Sequence, residues 1–242
     1  MRKFFCFFAI ILISLPSLAQ DDGEGFFIAR KEKNNAFFIG PKVGGVISSM
    51  TDPDDCHLND GSGVGISAGL AMKMRFGKAT ENSNGGTGFF GVGLELKYKQ
   101  NSVKTIGTDE TGEENAKLSL GYFEVPVYIQ VYPFAKANAL NSFYVELGAS
   151  FAIALSVSPE SLTVSNTRSG YETITYNLDS DGSKLVSNDI RPLVGIGYTI
   201  PNTGLDINAR YYIGASELAK NFSSKINSFE ISLAWMFNAF KF

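Results

Sequence analysis

Between Val64 and Phe76 every second residue is apolar: Val64, Ile66, Ala68, Leu70, Met72, Met74 and Phe76. Gly65, Ser67, Gly69, Ala71, Lys73 and Arg75 stand between them. A period of two residues puts all the apolar side chains on one face of a β-strand. The pattern returns down the chain, each time behind a turn-rich gap. Recurrence at this length predicts a closed barrel whose outer face meets lipid, because in hydrocarbon every backbone N–H and C=O must be paired within the protein.

Eight segments carry the alternation. The first, about Phe37 to Ser48, sets Phe37, Ile39, Val43 and Ile47 against Gly40, Lys42 and Gly44, and the second is Val64 to Phe76. In the third, Phe90, Val92, Leu94, Leu96 and Tyr98 oppose Gly91, Gly93, Glu95, Lys97 and Lys99. The fourth turns Phe123, Val125, Val127, Ile129 and Val131 outward and Glu124 inward. Leu118 and Leu120 read in the opposite phase there, which a bulge near Gly121 or Tyr122 reconciles. The fifth is the longest clean run, with Phe143 to Leu155 opposing Tyr144, Glu146, Gly148 and Ser150. The sixth to eighth place Arg191, then Asp206 and Arg210, then Glu230 on the inner face, and Pro201-Asn202-Thr203-Gly204 makes a tight turn after the sixth. The expected fold is therefore all-β, an eight-stranded antiparallel up-and-down transmembrane barrel over residues 37–237. Residues 238–242 are either a tail or the end of the last strand, since Phe240 and Phe242 fall out of phase with Trp235 and Phe237.

Gap lengths orient it. Outer-membrane barrels keep short turns in the periplasm and long loops outside. The gaps after segments two, four and six (Gly77 to Gly88, Phe134 to Ser142 and the Pro201 turn) are then periplasmic, whereas Asn101 to Lys117 and Val157 to Asp189 are external loops. Aromatic residues at the periplasmic strand ends form an expected interfacial girdle: Phe37, Phe76, Phe90, Tyr132, Phe143, Tyr198, Trp235 and Phe237.

The chain's start reads as a secretory signal over residues 1–20. Arg2 and Lys3 form the charged region, Phe4 to Leu15 the apolar stretch and Ser17-Leu18-Ala19 the cleavage site. Residues 21–36 then form a periplasmic N-terminal segment. The expected location is the bacterial outer membrane, reached through the inner membrane. No later apolar run approaches the ~20 residues of a membrane helix. Removing Arg2 and Lys3 leaves 19 basic against 24 acidic residues, which argues against nucleic acid as a partner. Cys56 is the one cysteine beyond the signal, so no internal disulfide is expected and stability has to come from closure and burial.

Three stretches give the pattern a family likeness: Gly40-Pro41-Lys42-Val43-Gly44-Gly45, Tyr122-Phe123-Glu124-Val125-Pro126-Val127-Tyr128 and Ile231-Ser232-Leu233-Ala234-Trp235-Met236-Phe237. With them nearly the whole mature chain resembles the PorT-like outer-membrane β-barrel family of the Bacteroidetes. The resemblance implies an eight-stranded barrel in the outer membrane and, for the family's namesake, a part in protein secretion across it. Gly45-Val46 stands where relatives often carry Leu-Asn, and five residues follow the usual aromatic stop.

Charge on the inner face is the main candidate chemistry. Lys42, Lys73, Arg75, Lys97, Lys99, Arg191 and Arg210 interleave with Glu95, Glu124, Glu146, Asp206 and Glu230. An eight-stranded barrel is only wide enough for side chains to fill it, so these groups are expected to pair and plug the lumen. Catalytic signals are weak. His57 is the only histidine, and the run Asp52 to His57 holds adjacent residues that cannot surround one metal ion. Neither Ser48 nor Ser49 sits in a nucleophile elbow. No enzyme, metal or cofactor is expected. The expected partners are outer-membrane lipid, the barrel-assembly machinery during insertion, and envelope or secretion-complex proteins met by the external loops. A narrow pore and a secreted lipocalin-like carrier are the rival readings; the carrier would invert the pattern, apolar face inward.

Overall fold

The computed structural model describes residues 35–51, 59–77, 88–109, 112–135, 140–158, 161–166, 172–177, 188–201, 203–216 and 225–241. The expected signal peptide, the periplasmic segment except Asn35 and Ala36, and the Asp52 to His57 run lie outside the described residues. Eleven strands follow in chain order: β1 (Ala36–Met50), β2 (Asn59–Phe76), β3 (Phe90–Asp109), β4 (Gly112–Val131), β5 (Phe143–Ser158), β6 (Ser161–Asn166), β7 (Glu172–Asn177), β8 (Asn188–Thr199), β9 (Leu205–Tyr212), β10 (Ile226–Trp235) and β11 (Phe237–Lys241).

Strands β1, β2, β3, β4, β5, β8, β9 and β10 pair antiparallel in that order, and β10 pairs back onto β1, closing an eight-stave barrel. Closure abolishes the exposed sheet edge that lipid would penalise. At the seam Lys42 lies opposite Ala234 and Met50 opposite Ile226. β11 continues the last stave: Phe237 pairs with Ile39 and Phe240 with Phe37, after a register shift between Phe37 and Phe38. That shift accounts for the phase of Phe240, whose ring stacks on Phe37 at 4.8 Å. Pro41 has no N–H to give the seam. There the β10–β11 stave breaks at Met236, whose amide instead donates to Gly204 O at 2.7 Å in the β8–β9 turn. Gly204 holds φ 72°, the left-handed conformation that favours glycine.

The two faces of the wall are chemically opposite. Leu147, Ile196, Ile231 and Trp235 are among the large apolar residues exposed outward, while Glu124, Glu230, Lys99 and Arg191 are buried inside. On β5 the outward apolar row runs from Phe143 to Leu155. At ~3.3 Å per residue and a ~40° tilt that row is about 30 Å tall, enough to cross the hydrocarbon core of a bilayer. Inward glycines make room for rings: a Cβ on Gly93 would lie 2.3 Å from the Tyr128 ring, and one on Gly197 2.3 Å from the Tyr144 ring. Each tyrosine lies over a glycine of the neighbouring strand, which pins the register of its pair.

Three expectations change. Asn101 to Lys117 is not a loop: β3 and β4 pair directly up to Asp109 opposite Gly112. The stretch from Val157 to Asp189 contains its own two-stranded sheet, β6 with β7. A register shift does fall between Gly121 and Tyr122, but the extra residue is Leu155 of β5, so Leu118 and Leu120 keep the phase of Tyr122 and point inward.

Candidate functional site

All twelve charged residues assigned to the inner face are buried. They come from eight staves and meet in the lumen, several pairs joining strands far apart in sequence, such as Lys42–Glu95, Lys73–Asp206 and Lys97–Glu230.

Arg210 of β9 occupies the middle. Its Nε donates to Glu146 Oε2 at 2.6 Å, and its Nη2 reaches Glu146 Oε1 at 3.1 Å and Glu95 Oε1 at 2.8 Å. One guanidinium thus bridges carboxylates from β5 and β3, a use for its planar fork that a lysine could not reproduce. Glu95 also accepts from Lys42 Nζ at 2.8 Å and Tyr128 OH at 3.0 Å. Glu146 accepts from Gln130 and Asn208 at 2.8 and 2.9 Å.

Toward the end formed by the β3–β4 hairpin, Glu230 accepts from Lys97 Nζ at 2.6 Å and Ser67 Oγ at 3.0 Å. Lys99 lies 3.4 Å from the centre of the Tyr212 ring and donates to Ser228 Oγ at 2.8 Å. Arg191 joins Glu124 at 2.9 Å and Asp189 at 2.5 Å while lying over the Tyr122 ring. Toward the end that carries the β8–β9 turn, Asp206 takes bonds from Lys73, Thr199 and Tyr144. Arg75 is held differently: it donates to the carbonyls of Gly88 and Asn141, both at 2.8 Å, and lies 3.7 Å from the centre of the Tyr132 ring. It thereby ties the turn after β2 to the turn after β4.

Burying so many charges is tolerable only because almost every one has a partner and a second hydrogen bond. Four buried atoms make no hydrogen bond: Glu95 Oε2, which lies 3.9 Å from Lys97 Nζ, Arg210 Nη1, Asn208 Oδ1 and Ser232 Oγ. Among the described residues no group of three His, Cys, Asp or Glu side chains could hold a metal ion.

The sequence profile of the family described as outer membrane protein beta-barrel domain matches residues 19–219. The chain belongs to this family. The barrel is similar to several solved structures of low identity. These include Ail, the attachment invasion locus protein of Yersinia pestis (13% identity, TM-score 0.37, 84% of this chain and 99% of that one). They also include Neisserial surface protein A (14%, 0.39, 84% and 96%) and OprG of Pseudomonas aeruginosa (13%, 0.37, 85% and 98%). No curated protein matches the sequence.

One assigned girdle residue is misplaced by the alternation. Tyr132 of the barrel is buried, with its hydroxyl 2.9 Å from Gln130 Oε1 and Arg75 on its face. Val131 is the last outward residue of β4, so the next position faces in; its parity with Tyr128 and Gln130 carried that signal. Trp235, Phe237 and Phe90 are exposed, and Phe37, Phe76, Phe143 and Tyr198 are half-buried on the wall. Asp189 was not singled out by sequence, because it opens β8 beside a long gap. It is the second carboxylate of Arg191.

Proposed function

We propose that this outer-membrane barrel has a non-enzymatic role, its lumen plugged by the charge network and its external loops making contact with a partner or ligand. The observation that carries the reading is the bridge Arg210–Glu95–Glu146, which spans β9, β3 and β5 at the centre of the bore. Lys97–Glu230, Lys73–Asp206 and Arg191–Glu124 cross it at other levels. A conducting path through an eight-stranded barrel would have to part these pairs, and each parted pair leaves an uncompensated buried charge. Function then falls to the loops, where a rigid wall can hold contact residues. The PorT-like resemblance of the three stretches noted above favours an envelope or secretion assembly as the setting.

Purified protein in planar bilayers at physiological salt tests the plug: a silent membrane is expected, and steady unit conductance would replace this reading with a narrow pore. For the assembly, cells lacking the protein are expected to retain cargo that wild-type cells secrete. An unchanged secreted fraction would overturn that part.

A further inference from the structure

The seam joins the first stave to the last, and its backbone ladder comes in two pieces. β1 pairs with β10 from Lys42 opposite Ala234 to Met50 opposite Ile226, and with β11 from Ile39 opposite Phe237 to Ala36 opposite Lys241. Between the two pieces Gly40 and Pro41 stand against Met236 and Trp235 outside either ladder. On the other side of β1 the ladder to β2 runs unbroken through this level, with Gly40 opposite Ala71 and Pro41 opposite Leu70. The interruption therefore belongs to the seam, where Pro41 offers no N–H and the Met236 amide donates to Gly204 O instead. The β3–β4 ladder also skips two pairs, between Leu94 opposite Val127 and Lys97 opposite Glu124. Those strands are consecutive in the chain and stay together when a bond is missing, whereas the two sides of the seam are connected only through the whole barrel.

Side chains inside the bore span the seam. Glu230 of β10, fully buried and opposite Val46 of β1, accepts from Lys97 Nζ of β3 at 2.6 Å and from Ser67 Oγ of β2 at 3.0 Å. Both bonds pass over β1. The inward polar groups of β1 bond the other way, Lys42 to Glu95 and Ser48 to Asn101, both on β3. Thr51 with Lys225 pins the seam at one end and the Phe37–Phe240 stack pins it at the other. Lys97 and Ser67 lie 133 and 163 positions from Glu230 in sequence, so their contacts close long loops and come after the local hairpins.

We infer that Glu230 is the latch that closes this barrel: it ties the C-terminal staves to β2 and β3 across an interrupted ladder, and the β1–β10 seam is the line along which the wall parts when it is released. The latch is a positioning residue for closure and holds whether or not the bore conducts.

The test uses the full chain in lipid nanodiscs, with amide hydrogen exchange read residue by residue by NMR. Glu230→Gln keeps the shape and removes the charge. It is expected to speed exchange about tenfold at amides that bond across the seam, while amides bonding β5 to β8 change by less than about twofold. Arg191→Met breaks a buried pair joining β8 to β4, away from the seam, and is expected to leave seam exchange unchanged. Should Glu230→Gln fail to insert, Ser67→Ala leaves the Lys97–Glu230 pair in place and is expected to give a rise of about threefold confined to the seam. Unchanged seam exchange in a folded variant, an equal rise in every ladder, or the same seam response from Arg191→Met would overturn the latch.

Discussion

Arg210→Met is the sharpest perturbation of the lumen, because it removes the one cation shared by Glu95 and Glu146. Glu95 keeps Lys42 at 2.8 Å and Tyr128, but Glu146 is left with only the neutral donors Gln130 and Asn208. Breaking a buried pair from one side costs about 3–5 kcal/mol, most of it from the carboxylate left without its counter-charge. Methionine fills much of the arginine stem's volume, so the cavity contribution is small by comparison. Glu146→Gln keeps the shape, leaves Arg210 its bond to Glu95, and is expected to cost about 1.5–3 kcal/mol, the worth of a hydrogen bond to a charged group. The double variant removes both charges together, so it is expected to fall short of the sum of the single costs by about 1–3 kcal/mol. Reversible urea unfolding in vesicles measures all four species. Trp235, the only tryptophan, is exposed on the lipid face and reports insertion through its emission. Arg210→Met costing less than about 1 kcal/mol, or additive costs in the cycle, would refute a bore held by paired charge.

On the lipid face, Leu147→Arg is expected to destabilise by about 2–4 kcal/mol in the same assay, as for a cation near the bilayer midplane. An unchanged midpoint would mean that Leu147 does not meet acyl chains. Gly197→Ala forces a methyl to 2.3 Å from the Tyr144 ring and is expected to cost about 1–3 kcal/mol, whereas Gly45→Ala, with nothing within 4 Å of its added carbon, is expected to be neutral. Equal costs at the two glycines would undo the ring-over-glycine account. High-resolution diffraction is expected to show ordered water bonded to Glu95 Oε2, Arg210 Nη1, Asn208 Oδ1 and Ser232 Oγ, buried polar atoms that make no hydrogen bond within the protein. Density at none of the four would count against it.

The wall was readable from sequence because a two-residue period leaves no freedom: once Leu147 faces lipid, Glu146 and Gly148 face the bore. The same rule placed Lys73, Lys97 and Arg210 inside without any knowledge of their partners. Which carboxylate each cation meets was not readable, since Arg210–Glu95 and Lys73–Asp206 depend on how far each stave is staggered against the next. Bulges hide that stagger. The extra Leu155 in β5 and the shift at Phe37 change which residues lie at one level, and the sequence shows them only as changes of phase at Leu118, Leu120 and Phe240, which do not say which strand carries the extra residue. Tyr132 shows the limit from the other side: as an aromatic at a strand end it suits a girdle, but its parity sends it inward to receive Arg75. The outer strands from Ser102 to Lys117 were lost for a different reason. Val103 and Ile106 lie three residues apart among Thr, Lys and Asn, so the stretch offers no two-residue apolar period to read, and only the backbone pairing of β3 with β4 extends the strands.

The bore carries its charges in the middle and apolar or aromatic groups at its two ends, and this order has an energetic reason. Phe38 and Met236 at one end, and Leu118 and Leu120 at the other, exclude water from pairs that would weaken if solvent screened them. Low dielectric strengthens each Arg–Glu contact but makes every unpaired charge expensive, so the arrangement tolerates few intermediate states. A wall held by pairs that cross the bore resists partial opening more than one held by pairs along its circumference. Parting β9 from β3 or β5 breaks the Arg210 bridge at once. Opening the bore would require several such pairs to part together.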